Sequence, residues 1–334
     1  MSTDLQAKPR PKRLGKYRLL SRIGSGGMSR VYRAVAVDSV TEIALKMTSV
    51  ENDDDVEVAD YQREFIVGHR LQGTPNVICP MDFGCVDGYY FITMPLVEGA
   101  TLSNSTRLRD PSRKPSSSRS SAYHDEWILP LLESNWVQIA RLGIQLSRAL
   151  VACHEKGVIH RDTKPGNIMM NRTGDAYLMD FGLAWMHRGP ADHELVTKAG
   201  TARYLPPEVF QNRRDERSDI YSLGLTLHEL TTGLKVWGHV PHEEILQTRP
   251  EYRVPAVRSV RNDVPRCLAD CIDKASADEP DERYQSAESL LKHFEEVSHE
   301  LESSVLKTTE HGFETMTVGT DSSVMLTENV WFNE

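Results

Sequence analysis

Asp162, Lys164 and Asn167 place a carboxylate, an ammonium and a primary amide within one short stretch, and Asp180 adds a second carboxylate beside Phe181 and Gly182. Moving a phosphoryl group from a nucleotide to a hydroxyl needs these groups. One carboxylate orients the attacking hydroxyl and accepts its proton, a cation sits near the moving phosphoryl, and oxygen ligands hold a hard divalent ion. Asp162 suits the first role and Lys164 the second, while Asn167 and Asp180 suit the third.

Several elements must hold this set in place. Val158 and Ile159 on one side, and Ile168 to Met170 on the other, read as short buried strands. Trp136 to Lys156 carries apolar residues at helical spacing (Ile139, Leu142, Ile144, Leu146, Leu150, Val151) and ends near Gly157, so a helix delivers the stretch. Ser218 to Leu230 is apolar nearly all round and is followed by Gly233, the pattern of a capped core helix. Upstream, Tyr17 to Ile23 and Tyr32 to Val37 read as strands joined by Gly24-Ser-Gly-Gly-Met-Ser-Arg-Val31, a glycine-rich corner where backbone amides can approach a polyphosphate. Glu42 to Lys46 is the next strand, with Ala44 and Lys46 on one face. Asn52 to Asp55 suits a helix start, and the pattern runs on through Tyr61, Phe65 and Leu71. Val77 to Gly84 and Tyr89 to Met94 read as strands around the turn at Asp87 and Gly88, giving five strands and one helix in this half.

His160-Arg161-Asp162, four residues, Asn167, and then Asp180-Phe181-Gly182 resemble the catalytic loop and metal-binding segment of protein kinases, and Lys164 resembles their serine/threonine branch. The resemblance extends over about residues 17–297 and is closest in character to the bacterial eukaryotic-like (Hanks-type) members. It implies an α+β fold of two lobes: a small, mainly antiparallel lobe (17–94) with a regulatory helix, a hinge (95–99), and a larger, mainly helical lobe (100–297). It implies that ATP and Mg2+ bind between the lobes. Lys46 would hold the α- and β-phosphates and pair with Glu64 of the regulatory helix, Glu57 being a competing choice that falls near the helix start. Ile23, Gly24, Ser25, Gly26, Gly27, Met28, Ser29, Val31, Ala44, Met94, Leu96 and Met169 would surround the nucleotide, with Met94 behind the adenine. Ser29 stands where the family has its third glycine, and Pro95 is unusual in a hinge.

The same resemblance frames an activation segment that follows Gly182 and closes at Pro206-Pro207-Glu208, where Pro206 replaces the usual Ala. Thr201 is placed like the threonine that bonds the catalytic Asp and Lys. Arg161 would meet a phosphorylated residue of this segment, for which Thr197 is the first candidate and a plain loop threonine the alternative. Asp219 would brace the catalytic-loop backbone, and Glu208 with Arg283 would form a buried ion pair.

Composition limits the rest. A net charge of -9 argues against bulk nucleic-acid binding. No apolar run approaches the roughly 18 residues that cross a bilayer, and no apolar core follows the basic N-terminus as in a signal peptide, so a cytoplasmic protein is expected. Residues 1–16 read as a basic arm kept from helix by Pro9 and Pro11. The Ser- and Arg-rich stretch 103–124 reads as an insertion without a core, and 298–334 as a mobile acidic Ser/Thr-rich tail in which Trp331 and Phe332 suggest docking. The five cysteines form no Cys-x-x-Cys pair, and Cys153 sits on an apolar helical pattern, so packing is expected of it. The partners expected are protein substrates bearing Ser or Thr, and a second copy of the chain for phosphorylation in trans. A nucleotide-binding scaffold without turnover is the alternative, and a lipid or small-molecule kinase a third reading that the long activation segment opposes.

Overall fold

A computed structural model describes residues 12–25, 29–49, 55–103, 132, 135–186, 202–211, 213–238, 240, 244–245 and 253–314. Gly26, Gly27, Met28, Thr197 and Thr201 lie outside them, as do residues 1–11, most of the insertion and 315–334.

The small lobe is an antiparallel sheet of β1 (Arg13–Leu14), β2 (Tyr17–Ser25), β3 (Arg30–Ala36), β4 (Glu42–Ser49), β5 (Asp82–Val86) and β6 (Tyr89–Pro95), in the order β1-β2-β3-β4-β6-β5. Alternation builds it: Tyr17, Leu19, Tyr32, Ala34, Ile43, Leu45, Met47 and Phe91 bury one face as a single cluster. Helix α1 (Asp55–Arg70) lies against this sheet. Six strands stand where five were expected. The sixth is β1, whose Arg13 and Leu14 pair with Arg18 and Tyr17, so the basic arm is already part of the sheet before residue 17. Val77 to Met81 is not a strand of the sheet; instead Val77 bridges to Leu178 and Ile78 donates its N–H to the Leu178 carbonyl at 2.9 Å, stitching the lobes together. Pro95 still pairs with Ile43 as the last residue of β6, which moves the start of the hinge to Leu96.

Past the hinge, β7 (Gly99–Thr101) runs beside β9 (Ile168–Asn171), itself paired with β10 (Ala176–Leu178). A Cβ on Gly99 would lie 2.0 Å from the Met170 carbonyl oxygen, so only glycine allows this approach. Helix α2 (Trp136–Glu155) is capped by the Asn135 side chain, which accepts the Gln138 N–H. It leads to β8 (Val158–Ile159), which pairs with β11 (Trp185–Met186). Helix α3 (Arg217–Thr232) is buried along almost its whole length and stops at Gly233, which takes the left-handed cap conformation at φ 73°. The short α4 (Val257–Val260), α5 (Arg266–Ala275) and α6 (Ala287–Glu314) complete the large lobe, whose core joins Leu142, Leu146, Leu150, Leu223, Leu227, Leu268 and Phe294. Helix α6 runs through Val297, where a mobile tail was expected to begin, and continues to Glu314. Residues 298–306 are rich in Glu, Ser and Leu without Pro or Gly, so nothing in them stops the helix.

Candidate active site

The short strands β8 and β9 hold the loop between them, and that loop carries the catalytic candidates. Asp162 and Asn167 are buried, and Lys164 is partly so. Lys164 Nζ donates to Asp162 Oδ2 at 2.7 Å, and Asn167 Nδ2 donates to the same oxygen at 2.7 Å and to the Asp162 carbonyl at 2.9 Å. One carboxylate oxygen is therefore fixed by two donors. The other, Oδ1, is buried with no hydrogen-bond partner among the described residues. It is an acceptor held ready for a donor from outside this set.

The loop backbone is clamped from below. Asp219 at the start of α3 is fully buried; its Oδ2 accepts the His160 N–H at 2.8 Å, and its Oδ1 accepts the Arg161 N–H at 2.8 Å. His154 of α2 donates Nε2–H to Asp219 Oδ2 at 2.9 Å. Burial opposes a charge on Asp219, but the hydrogen bond and charge of His154 outweigh it and hold the carboxyl below its ordinary range. Thr226 adds a hydrogen bond to the Thr163 carbonyl at 3.3 Å. These contacts support Arg161 and Asp180 in the left-handed region, at φ 67° and 68°, a conformation that costs a non-glycine residue of order 1–3 kcal/mol. His160 accepts the Asp162 N–H on Nδ1 and donates Nε2–H to the Met179 carbonyl, and its ring meets Phe181 edge-on at 4.8 Å.

Across the cleft, Lys46 of β4 reaches Glu64 of α1 at 2.8 Å and Asp180 Oδ1 at 3.3 Å. Burial disfavours the charge on Lys46, yet the carboxylates of Asp180 and Glu64 together outweigh it and raise its pKa. The same burial would raise Asp180, but Lys46 and then Lys164 pull it below its ordinary value, so it is held as the anion. Glu64 is thus the carboxylate that meets the strand lysine. The cross-strand register sets Lys46 opposite Val31 and Ile92, and Ala44 opposite Met94, so Val31, Ala44 and Met94 line the roof on the side of Lys46. Met169 stands on β9, opposite Thr101 and Tyr177. Ile23, Gly24 and Ser25 end β2, with Gly24 opposite Val31; Ser29 precedes β3, and Leu96 follows β6.

For a divalent cation the donor chemistry fits. Asn167 spends its N–H donors on Asp162, which leaves its carbonyl oxygen, and Asp180 uses Oδ1 on Lys46, which leaves Oδ2. Two oxygen ligands completed by phosphate and water oxygens suit Mg2+ better than a closed protein cage, and no cluster of three or more His, Cys, Asp or Glu suited to a metal occurs among the described residues.

Three contributors escaped the sequence reading. Tyr61 places its ring 5.6 Å from Lys46 Nζ, Trp185 lies 5.3 Å from the Arg161 guanidinium, and His154 completes the Asp219 clamp. Of these only His154 had a signal, its position one residue after the buried Cys153. Glu208 and Arg283 form the expected buried pair, with two hydrogen bonds of 2.7 and 2.8 Å.

Comparison with known proteins agrees with this geometry. A family model described as the protein kinase domain matches residues 17–294. The chain is 32% identical over 280 residues to the serine/threonine-protein kinase PknH of Mycobacterium bovis, covering 83% of this chain and 43% of that protein. It is 29% identical over 278 residues to the serine/threonine-protein kinase PrkC of Bacillus subtilis, covering 83% and 39%. The chain therefore spans about two fifths of the length of these relatives. The crystal structure of the Mycobacterium tuberculosis PknI kinase domain shares the fold, with a TM-score of 0.58 at 23% identity over 85% of this chain and 96% of that one. With that model matching residues 17–294, and the strand lysine Lys46 paired to Glu64 of α1 beside Asp162, Lys164, Asn167 and Asp180, this chain belongs to the protein kinase domain family.

Proposed function

We propose that the chain is an ATP-dependent serine/threonine protein kinase that transfers the γ-phosphoryl of Mg-ATP to Ser or Thr hydroxyls of proteins. The observation that carries this reading is the asymmetry of Asp162: Oδ2 is held by Lys164 and Asn167, while Oδ1 is buried without a partner among the described residues. That oxygen orients the substrate hydroxyl and accepts its proton. Lys164, already within the same hydrogen-bond set, offsets charge on the group in transit. Lys46 holds the nucleotide's phosphates from the small lobe, and Glu64 keeps that lysine extended. Asn167 and Asp180 would hold the cation, which would supply charge neutralisation on the phosphate oxygens. Acceleration comes from positioning and fixed charge rather than from covalent chemistry on the protein.

We also place Thr197 as the residue phosphorylated by a second copy, with Arg161 as its cationic partner and Thr201 as the segment's link to Asp162 and Lys164. The relatives named as serine/threonine-protein kinases support the choice of acceptor. No helix among the described residues is long and apolar enough to cross a membrane. Lys46, Asp162, Asn167 and Asp180 are all in hydrogen-bonding register, so nothing favours a scaffold without turnover.

The test is incubation with Mg-ATP and a generic protein substrate, with phosphosites read by mass spectrometry, against Asp162→Asn. The parent is expected to label Ser and Thr residues. The variant, which keeps shape but loses the accepting carboxylate, should be slower by about 10²–10⁴-fold while still binding nucleotide. Equal labelling by both proteins would overturn the assignment of Asp162, and nucleotide binding without labelling by either would leave a scaffold.

A further inference from the structure

The small lobe carries a second organised feature, on the outer side of α1 and away from the cleft. The Phe65 ring of α1 lies 5.7 Å from that of Phe83 on β5, and Phe83 stacks at 6.5 Å on Tyr90 of β6 with only 6° between the planes. His69 stacks on Phe65 at 5.7 Å. All three aromatic residues remain only partly buried, Ile66 and Met81 are 57% and 53% exposed, and β5 is the edge strand of the sheet. An aromatic ladder with exposed aliphatic neighbours is costly to leave in water and marks a docking surface.

We propose that this strip is the docking surface for the C-terminal segment of the same chain, with Val330, Trp331 and Phe332 as the groups that cover it. Chemistry matches on both sides. Residues 315–334 contain no Lys or Arg, and their only aromatic residues, Trp331 and Phe332, are flanked by Glu328 and Glu334. On α1, i to i+4 spacing carries the strip from Phe65 to His69 and from Ile66 to Arg70, so its outer face ends in basic residues. Arg70 forms no ion pair among the described residues, and both it and His69 are exposed. An aromatic pair between two acids thus meets an aromatic strip beside a cation. Helix α6 ends at Glu314, and the 15 residues before Val330 extend to about 50 Å at ~3.3 Å each, about the diameter of a sphere with the radius of gyration of roughly 19 Å that a domain of this size has.

Docking on this face acts on the helix that carries Glu64. A segment that binds α1 only where Glu64 meets Lys46 shifts the helix toward that position, by as much as its affinity differs between the two positions. The effect on activity rests on the proposed kinase reaction; the docking does not.

The test uses the full chain. In Trp331→Ala/Phe332→Ala protein, whose own tail no longer competes, a fluorescein-labelled peptide of residues 321–334 should bind saturably by fluorescence anisotropy. Adding Ile66→Glu and Met81→Glu, both at exposed positions, should weaken that binding about tenfold or more. Relative to the parent, the alanine pair should also raise hydrogen exchange in residues 61–70 and lower phosphotransfer by about threefold or more, with the peptide restoring both. Absence of binding, or equal binding to the glutamate variants, overturns the proposal. Protection of α1 that rises with protein concentration in the parent assigns the occupant to a second copy and overturns docking within one chain. Anisotropy repeated in an Asp162→Asn background separates docking from catalysis, so an inactive parent that still binds peptide would count against the proposed reaction alone.

Discussion

Asp219 uses one buried carboxylate to hold two backbone amides and a histidine, and His154 is the part of that clamp a change in pH can reach. Burial lowers the basicity of His154, but the hydrogen bond and charge of Asp219 outweigh this, with Glu216 and Glu288 adding to them, and its pKa is raised. A base with a raised folded pKa stabilises the fold fully below its unfolded value of about 6.5, and the contribution fades as pH rises through the folded value. Asp219, whose pKa is depressed, contributes above its unfolded value of about 3.9, and its share is lost as pH falls through the folded one. His154→Gln should therefore lower Tm most between about pH 4 and 6.5, with the gap to the parent narrowing above that window. Thermal melts of the two proteins across pH check this, and a gap that stayed constant into the alkaline range would show that the ring carries no charge in the fold. His228, whose pKa burial lowers, has the opposite sign but is common to both proteins and cancels in the difference.

At the scale of elements, α1 is held by contact as well as by charge. A Cβ built on Gly68 would sit 2.2 Å from Pro80 Cδ and 2.6 Å from its Cγ, on a rigid ring that cannot swing aside. Alanine would improve helix propensity by about 1 kcal/mol, yet overpacking costs about 1–3 kcal/mol, so the clash wins. Gly68→Ala should push α1 outward, lengthen the contact between Lys46 and Glu64 and lower phosphotransfer. A crystal structure of the variant with the 2.8 Å ion pair intact would contradict this. No local pattern announced Gly68, because its partner lies on a loop rather than on the helix. The elements that were readable share a different property: in β2 to β4, α2 and α3, periodicity and burial coincide, and glycines or caps close them. Val77 and Ile78 were misread because their burial is against the large lobe, while apolarity alone cannot name the surface that covers a residue. The candidates Asp162, Lys164 and Asn167 were legible because their spacing lies within one loop bounded by two short apolar strands. Tyr61 and Trp185 were not, since they reach Lys46 and Arg161 only through the assembled cleft.

For the molecule as a whole, the sharpest dependence falls on Glu208 and Arg283, 75 residues apart in sequence and joined through two hydrogen bonds. Arg283 is only 2% exposed, and it also donates to the carbonyls of Ala277, Asp278 and Arg217, while Ser218 donates to Glu208 Oε1. One guanidinium thus ties the segment after the activation loop to the start of α3 and to the turn before α6. Its face also lies 4.7 Å from the Tyr221 ring. Burying two charges is expensive, and their attraction roughly repays that cost, so the pair need add little net stability. Removing one partner is different, since the other charge stays buried without compensation at a cost of about 3–5 kcal/mol. Arg283→Met should therefore destabilise the chain by that order in urea unfolding. Glu208→Gln should cost less, because the amide oxygen still accepts from the guanidinium and Ser218. The double variant should cost less than the sum of the two, since each substitution removes the charge that the other leaves stranded. Strict additivity would show that Arg283 acts through its backbone carbonyl contacts alone, and that the lobe holds its activation segment without this ion pair.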